Sequence, residues 1–278
     1  WGAGAAREST RRHARDDAGG MCKSQACRAA ARDNACRSPM VLFSLILLRR
    51  NAAVMSIVPA KPSASVLLLR DHAGPPEVLL VRRNSNITFH GGAWVFPGGK
   101  VDAADAVAAG TDDELLVARH AAAREVHEET GVQVDHAVLR PFSHWTTPSH
   151  MPKRFATWFF VTVVAPETVV TIDDSEIVDY RWVSMADALE LRAREEIELP
   201  APAFVTLTRL HPFAHARAIV EELHGREVER YVPRVVKLDD GRCALYQDDA
   251  GYEAVDMAVA GPRHRLIMRQ SVWEYIRD

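Results

Sequence analysis

Cysteine is scarce where a disulfide framework would need it. Four are present in 278 residues, and Cys22, Cys27 and Cys36 all fall in the basic first stretch. Their spacing offers no second pair and no histidine at zinc-site distance, which argues against a zinc module. Cys243, alone in the body, reads as a small core residue in a reducing compartment. A bilayer-spanning run is also missing. Met40 to Leu48 is apolar for nine residues, against about 20 for a membrane helix. It resembles a signal-peptide core, but Arg49-Arg50-Asn51 follows it without a small-residue cleavage site. Nor is there a large excess of one charge. The formal net charge of −3 speaks against a general nucleic-acid binder. No internal repeat or coiled-coil pattern is visible.

What is present is an ample apolar fraction, 47% of residues, and an uneven spread of charge. Residues 1–50 carry a balance of +6 and the remainder −9. Residues 1–61 are therefore expected to form a basic, disordered leader, with Met55 as the natural start. Residues 62–195 read as a compact domain, and 196–278 as a C-terminal extension packing on it. The expected location is cytoplasmic, and the chain ends Ile276-Arg277-Asp278 rather than in a peroxisomal tripeptide.

Ser63–Leu69 and Val78–Arg83 predict two strands around the turn Asp71-His72-Ala73-Gly74-Pro75-Pro76. Thr111 and Glu114 have the spacing of a capping box, opening a helix with a buried stripe of Leu115, Ala118, Ala122 and Val126. Gly131 is its stop. Val132–Phe142, Phe155–Val164 and Ile177–Val183 predict further strands. Ser184 caps a short helix through Leu191, and Pro202–Leu223 predicts a longer one. Tyr231–Leu238, Cys243–Gln247 and Arg263–Arg269 alternate enough for small strands.

The chemistry gathers between Phe96 and Val132. A Gly98-Gly99 turn leads to a helix carrying Glu125, Glu128 and Glu129 within an arc of about 100°. Like charges at that spacing repel in an isolated helix. A hard divalent cation, Mg²⁺ or Mn²⁺, is the simplest reason to place them together. Two glycines permit the close approach that a metal or phosphate requires.

These residues resemble the Nudix hydrolase box, GX5EX7REUXEEXGU with U aliphatic. Gly99 matches its first glycine, and Arg124-Glu125-Val126-His127-Glu128-Glu129-Thr130-Gly131-Val132 matches the second half at every fixed position. The box's first glutamate is Asp105 here, and 18 residues separate it from Arg124 where the pattern has 7, an insertion of 11. The expanded box is similar to that of the Nudix 19-type acyl-coenzyme A diphosphatase branch. So are Ala93–Gly99 and the later Trp145-Thr146-Thr147-Pro148 and Arg154-Phe155.

The resemblance implies an α/β fold, a mixed sheet sandwiched between helices with an α/β C-terminal extension. It also implies hydrolysis of a nucleoside diphosphate linked to another moiety. Glu125, Glu128, Glu129 and the Gly98 carbonyl would hold Mg²⁺ or Mn²⁺, and Arg124 would orient the glutamates. A later carboxylate would join them, Glu176 first and Asp179 second. Arg83, Gly98, Gly99, Arg154 and Phe155 would meet the substrate. A coenzyme A motif, LLTXRSX3RX3GXVXFPGG, is matched at Leu79, Leu80, Arg83, Gly92 and Phe96–Gly99, and departed from at Val81, Asn84, Thr88 and Trp94. Coenzyme A and its acyl esters are thus the favoured substrates. Nucleoside triphosphates or nucleotide sugars come second, and a non-catalytic nucleotide-sensing module stands as the alternative from another class. The expected partner is a small nucleotide-type molecule, with no nucleic acid and no membrane; a homodimer is left open. Trp94 reads more as core than as a stacking platform. His144 and His150 flank the expected site, while His120 and His127 read as exposed.

Overall fold

The computed structural model describes residues 57–87, 90–270 and 272–278, all within one compact unit, Met55–Asp278. The leader cysteines, the Met40–Leu48 run, the Met55 start and Thr88 lie outside the described residues.

The organising strand is β1 (Lys61–Arg70), buried without a break from Ser63 to Leu69. It pairs in parallel with β6 (Phe155–Val163), from Lys61 opposite Phe155 to Leu69 opposite Val163. Its continuous apolar run follows from having both faces covered. Ala64, Val66 and Leu68 point to one apolar cluster, Leu67 and Leu69 to another, as the two-residue period of a strand requires. β2 (Glu77–Arg83), β3 (Trp94–Val95), β4 (Gly98–Lys100), β5 (Arg140–Thr146), β7 (Ile177–Ser184) and β8 (Glu229–Tyr231) complete a mixed sheet. Its path runs β3-β2-β1-β6-β5-β8, with β4 beside β1 and β7 beside β2.

One face is covered by α2 (Glu114–Thr130), whose Ala118, Ala121, Ala122 and Val126 pack on Val66, Leu68 and Val81. Small residues let this helix lie close to the sheet, so it carries little hydrophobic surface beyond its contact stripe. Leu115 is only half-buried. The helix cap is Asp113, not Thr111: the Asp113 carboxylate accepts the Leu116 amide at 3.0 Å, and Thr111 Oγ1 accepts the Asp113 amide at 3.1 Å. A side chain cannot cap from two residues outside the first turn. Gly131 ends the helix with φ +68°.

The other face meets α3 (Met185–Ala193), α4 (Ala201–Leu210), α5 (Ala216–Leu223) and a second sheet. That sheet is an antiparallel meander of β9 (Arg234–Leu238), β10 (Gly241–Leu245), β11 (His264–Arg269) and β12 (Val272–Arg277). The expected single helix over 202–223 is two, because Pro212 lies between them and lacks the amide a continuous helix needs there. Asp71, in the β1–β2 turn, accepts the first amide of α5 at 2.8 Å. The strand expected at 132–142 begins only at Arg140. A 3₁₀ turn at His136–Val138 precedes it, and Asp135 fixes that turn by accepting the Ala137 amide. β12 was not anticipated, nor was α1 (Ala103–Ala109). Cys243 is fully buried, as a core residue should be.

The second sheet holds a buried ion pair. Arg265 donates to both Asp249 oxygens at 2.7 Å, and the amides of His264 and Gly251 donate to the same carboxylate. Their side chains are 5% and 0% exposed. Burial pushes the Asp249 carboxyl up, but these donors outweigh it and bring it from 3.8 to about 2. A lowered folded-state value stabilises the protein above the ordinary carboxyl range and is lost as pH falls. Asp249 should therefore contribute about 2 kcal/mol at neutral pH, lost between about pH 4 and pH 2. Asp249→Ala should cost about 3 kcal/mol by stranding Arg265 and should flatten this acid dependence. Urea midpoints across that pH range measure both.

Candidate active site

β4 and α2 meet where β1 begins. Gly98 lies opposite Ser65 and Gly99 opposite Ala64. A Cβ on Gly98 would strike the Ala64 carbonyl, and one on Gly99 would strike the Glu125 carboxyl. Gly98 is required because its neighbours are strand backbone and its φ is +151°, whereas a side chain at Gly99 would displace the Glu125 carboxyl. The Gly98 amide donates to Glu129 Oε2 at 2.8 Å.

The three glutamates differ in setting. Glu129 is 5% exposed, Glu125 is half-buried and Glu128 faces solvent. Burial pushes the Glu129 carboxyl up to about 8, against the opposing Gly98 amide and Arg83. Burial also raises Glu125, with Arg124 opposing and Glu128 and Glu176 adding to the rise. Two carboxyls raised by lost hydration, side by side, form a site where a cation would restore both charges.

Arg124 ties α2 to α1 (Ala103–Ala109). It grips Asp105 through Nε and Nη2, both at 2.9 Å. Nη1 reaches Glu125 at 3.0 Å and Glu128 at 2.9 Å, and Nη2 also reaches the Lys100 carbonyl at 3.0 Å. Asp105 is 3% exposed; burial would raise its carboxyl, yet Arg124 and the Asp102 amide hold it below its usual value. The hydrogen bond to Asp105, foremost, raises Arg124. α1 is thus the element that returns a carboxylate to the guanidinium, and 18 intervening residues hide that partnership from sequence spacing.

Near the α2 glutamates, Arg83 Nη2 stands 3.9 Å from Glu176 Oε2. Arg83 Nε is buried without a hydrogen-bond partner, and its charge is felt by Glu129. Glu176 is felt by both Glu125 and Glu129. Asp179 instead lies on β7, 3.7 Å from Arg82. Arg154 spends its guanidinium on the carbonyls of Thr147 and Val58. Phe155, half-buried, donates its amide to Thr147 Oγ1 at 3.0 Å and has Lys153 5.9 Å from its ring. Trp94 is 4% exposed beneath Arg181, a core residue. His144 is buried against Trp158 and stands 3.7 Å from Glu114. His150 and His127 are exposed, whereas His120 is half-buried and stacks on His136 at 3.9 Å. The stack explains why His120 departs from the exposed position its helix spacing suggested.

Among the described residues, no three His, Cys, Asp or Glu side chains converge in a ready metal-binding group. Arg124 draws Glu125 and Glu128 aside, and Glu129 turns to the Gly98 amide. The oxygen donors and the two raised carboxyls nevertheless fit a hard divalent cation. Also among the described residues, no helix is long and apolar enough to cross a membrane.

A model of the NUDIX domain matches residues 59–204. The acyl-coenzyme A diphosphatase NUDT19 of Homo sapiens is 33% identical over 119 residues, 41% of this chain and 32% of that protein. Its Xenopus laevis counterpart is 29% identical over 110 residues, 37% of this chain and 29% of that protein. The chain thus spans about a third of the length of these relatives. Among solved structures, a NUDIX hydrolase from Alicyclobacillus acidocaldarius aligns with TM-score 0.53 and 23% identity, over 59% of this chain and 96% of that one. That likeness concerns the fold.

Proposed function

The chain belongs to the Nudix family, and on that premise we propose that it hydrolyses a pyrophosphate bond in a nucleoside-diphosphate-linked substrate. The observation that carries the reading is the pairing of raised carboxyls, Glu125 and Glu129, with a glycine turn that leaves them room. Glu125, Glu128, Glu129 and the Gly98 carbonyl would hold Mg²⁺ or Mn²⁺. When bound, such an ion neutralises phosphate charge and lowers the barrier to attack by water.

The chain's own residues do the rest. Arg124 holds Glu125 and Glu128 in a fixed fan, so the carboxylates present their free oxygens without a search. Arg83, whose charge is felt by Glu129, would meet a phosphate oxygen. Glu176, exposed and near Arg83, is the candidate to accept the proton of the attacking water. Arg154 is less available, since two backbone carbonyls already use it.

For the substrate we favour coenzyme A and its acyl esters. Support comes from the partial motif at Leu79, Leu80, Arg83, Gly92 and Phe96–Gly99, and from the similarity to acyl-coenzyme A diphosphatases. The departures at Val81, Asn84, Thr88 and Trp94 favour the second reading, nucleoside triphosphates or nucleotide sugars. A panel of all three classes, with Mg²⁺ and with Mn²⁺, read by product mass, separates them. The expected products are adenosine 3′,5′-bisphosphate and (acyl-)phosphopantetheine. Failure to cleave any coenzyme A species ends the favoured version, and binding without turnover of any member would mark a sensing module.

A further inference from the structure

The turn before β7 is organised by a single carboxylate. Asp173 Oδ2 accepts the Glu176 amide at 2.8 Å and the Ser175 amide at 3.2 Å, and Oδ1 accepts the Ile177 amide at 2.9 Å. The Ser175 hydroxyl donates to the same carboxylate. Burial raises this carboxyl, but the donors together hold it below its ordinary value. Asp174 takes φ +57°, a left-handed conformation that side chains rarely adopt. The turn is also fastened from the neighbouring strand, since β2 pairs with β7 and Arg83 lies opposite Ile177. The Asn84 amide donates to the Glu176 carbonyl at 2.8 Å, and Asn84 Nδ2 donates to the Ser175 carbonyl at 3.0 Å. Asn84 immediately follows Arg83 at the end of β2. One hydrogen-bonded unit therefore fixes the backbone of both Glu176 and Arg83, the two residues that face the α2 glutamates.

We infer that Asp173 is a positioning residue for the reaction, acting through Glu176, with Asn84 as the strut that registers Glu176 against Arg83. The inference rests on the hydrolase reading above. An Asx turn at a strand entry is often only local structure; here every donor but the Ser175 hydroxyl belongs to the backbone that carries Glu176. Among the described residues the exposed Glu176 side chain forms no hydrogen bond and pairs with Arg83 at 3.9 Å, so the backbone that carries both residues sets its placement.

Two measurements test this. In amide hydrogen exchange, Asp173→Ala should speed exchange at Glu176, Ile177 and, at the end of the neighbouring strand, Asn84, by about 10-fold or more, leaving α2 unchanged. In kinetics, on the panel substrate with the highest turnover, Asp173→Ala should lower kcat on the order of 10-fold with KM little changed. Asp173→Asn, which keeps an acceptor oxygen, should restore most of it. In a Glu176→Gln background, Asp173→Ala should add nothing further. Unchanged exchange at Asn84 would overturn the inference, and so would losses that multiply in the double variant. If the wild type turns over no substrate, the hydrolase reading fails and the kinetic role with it, while exchange still decides whether Asp173 holds Glu176.

Discussion

Glu128→Gln is expected to reduce kcat on the order of 10²–10³-fold while leaving the fold intact. Glutamine keeps the shape and loses the charge. The Glu128 side chain is 56% exposed and pairs with Arg124, four residues earlier. An exposed pair at that spacing contributes about 0.3–0.5 kcal/mol, so the urea midpoint should barely move. Its activity effect should be large because a pyrophosphate's barrier is mainly charge. Removing one preorganised charge partner from such a site typically has that size of effect. The two readouts must separate. Equal turnover in the variant, at saturating Mg²⁺ or Mn²⁺, would sink the assignment of Glu128 to the metal.

Arg124→Ala should fail in both respects. Asp105 is 3% exposed and receives two of the guanidinium's hydrogen bonds. Without them a buried carboxylate stands unpaired, and stability should fall by about 3 kcal/mol. Glu125 and Glu128 lose their common donor in the same step, so turnover should fall further than in Glu128→Gln. Arg124→Lys distinguishes charge from shape. An ammonium cannot fork to Asp105 and also reach both glutamates and the Lys100 carbonyl. It should recover part of the stability and little of the activity. Urea denaturation and steady-state kinetics on the three proteins test this, and full activity in the lysine variant would show that charge alone suffices.

Much of this was readable in the sequence, where a signal had a short range. The strand pair around Asp71–Pro76, the stop at Gly131 and the Ser184 cap each depend on residues a few positions apart. The Glu125, Glu128 and Glu129 fan follows from helical geometry alone. What sequence hid was long-range. Asp105 and Arg124 meet only because the chain folds back between α1 and α2; the Asp102–Asp105 capping box marks where α1 starts but not where it returns. Asp71 capping α5 spans 145 positions. The α4–α5 break had a signal in Pro212, outweighed by the apolar pattern on either side. Asp173-Asp174-Ser175-Glu176 carried the composition of a turn, yet its hold on Glu176 needs backbone directions that composition does not supply. Thr111 misled because two acceptors, Thr111 and Asp113, lie within reach of one helix start.

The Asp105–Arg124 pair also bears on how such sites are found. It joins two stretches of chain through space, so the number of residues between them is free to vary as long as a carboxylate comes back to the same guanidinium. A search written as fixed spacing measures the length of a tether. What the site needs is the meeting of opposite charges, and here the tether runs from within α1 through a loop into α2.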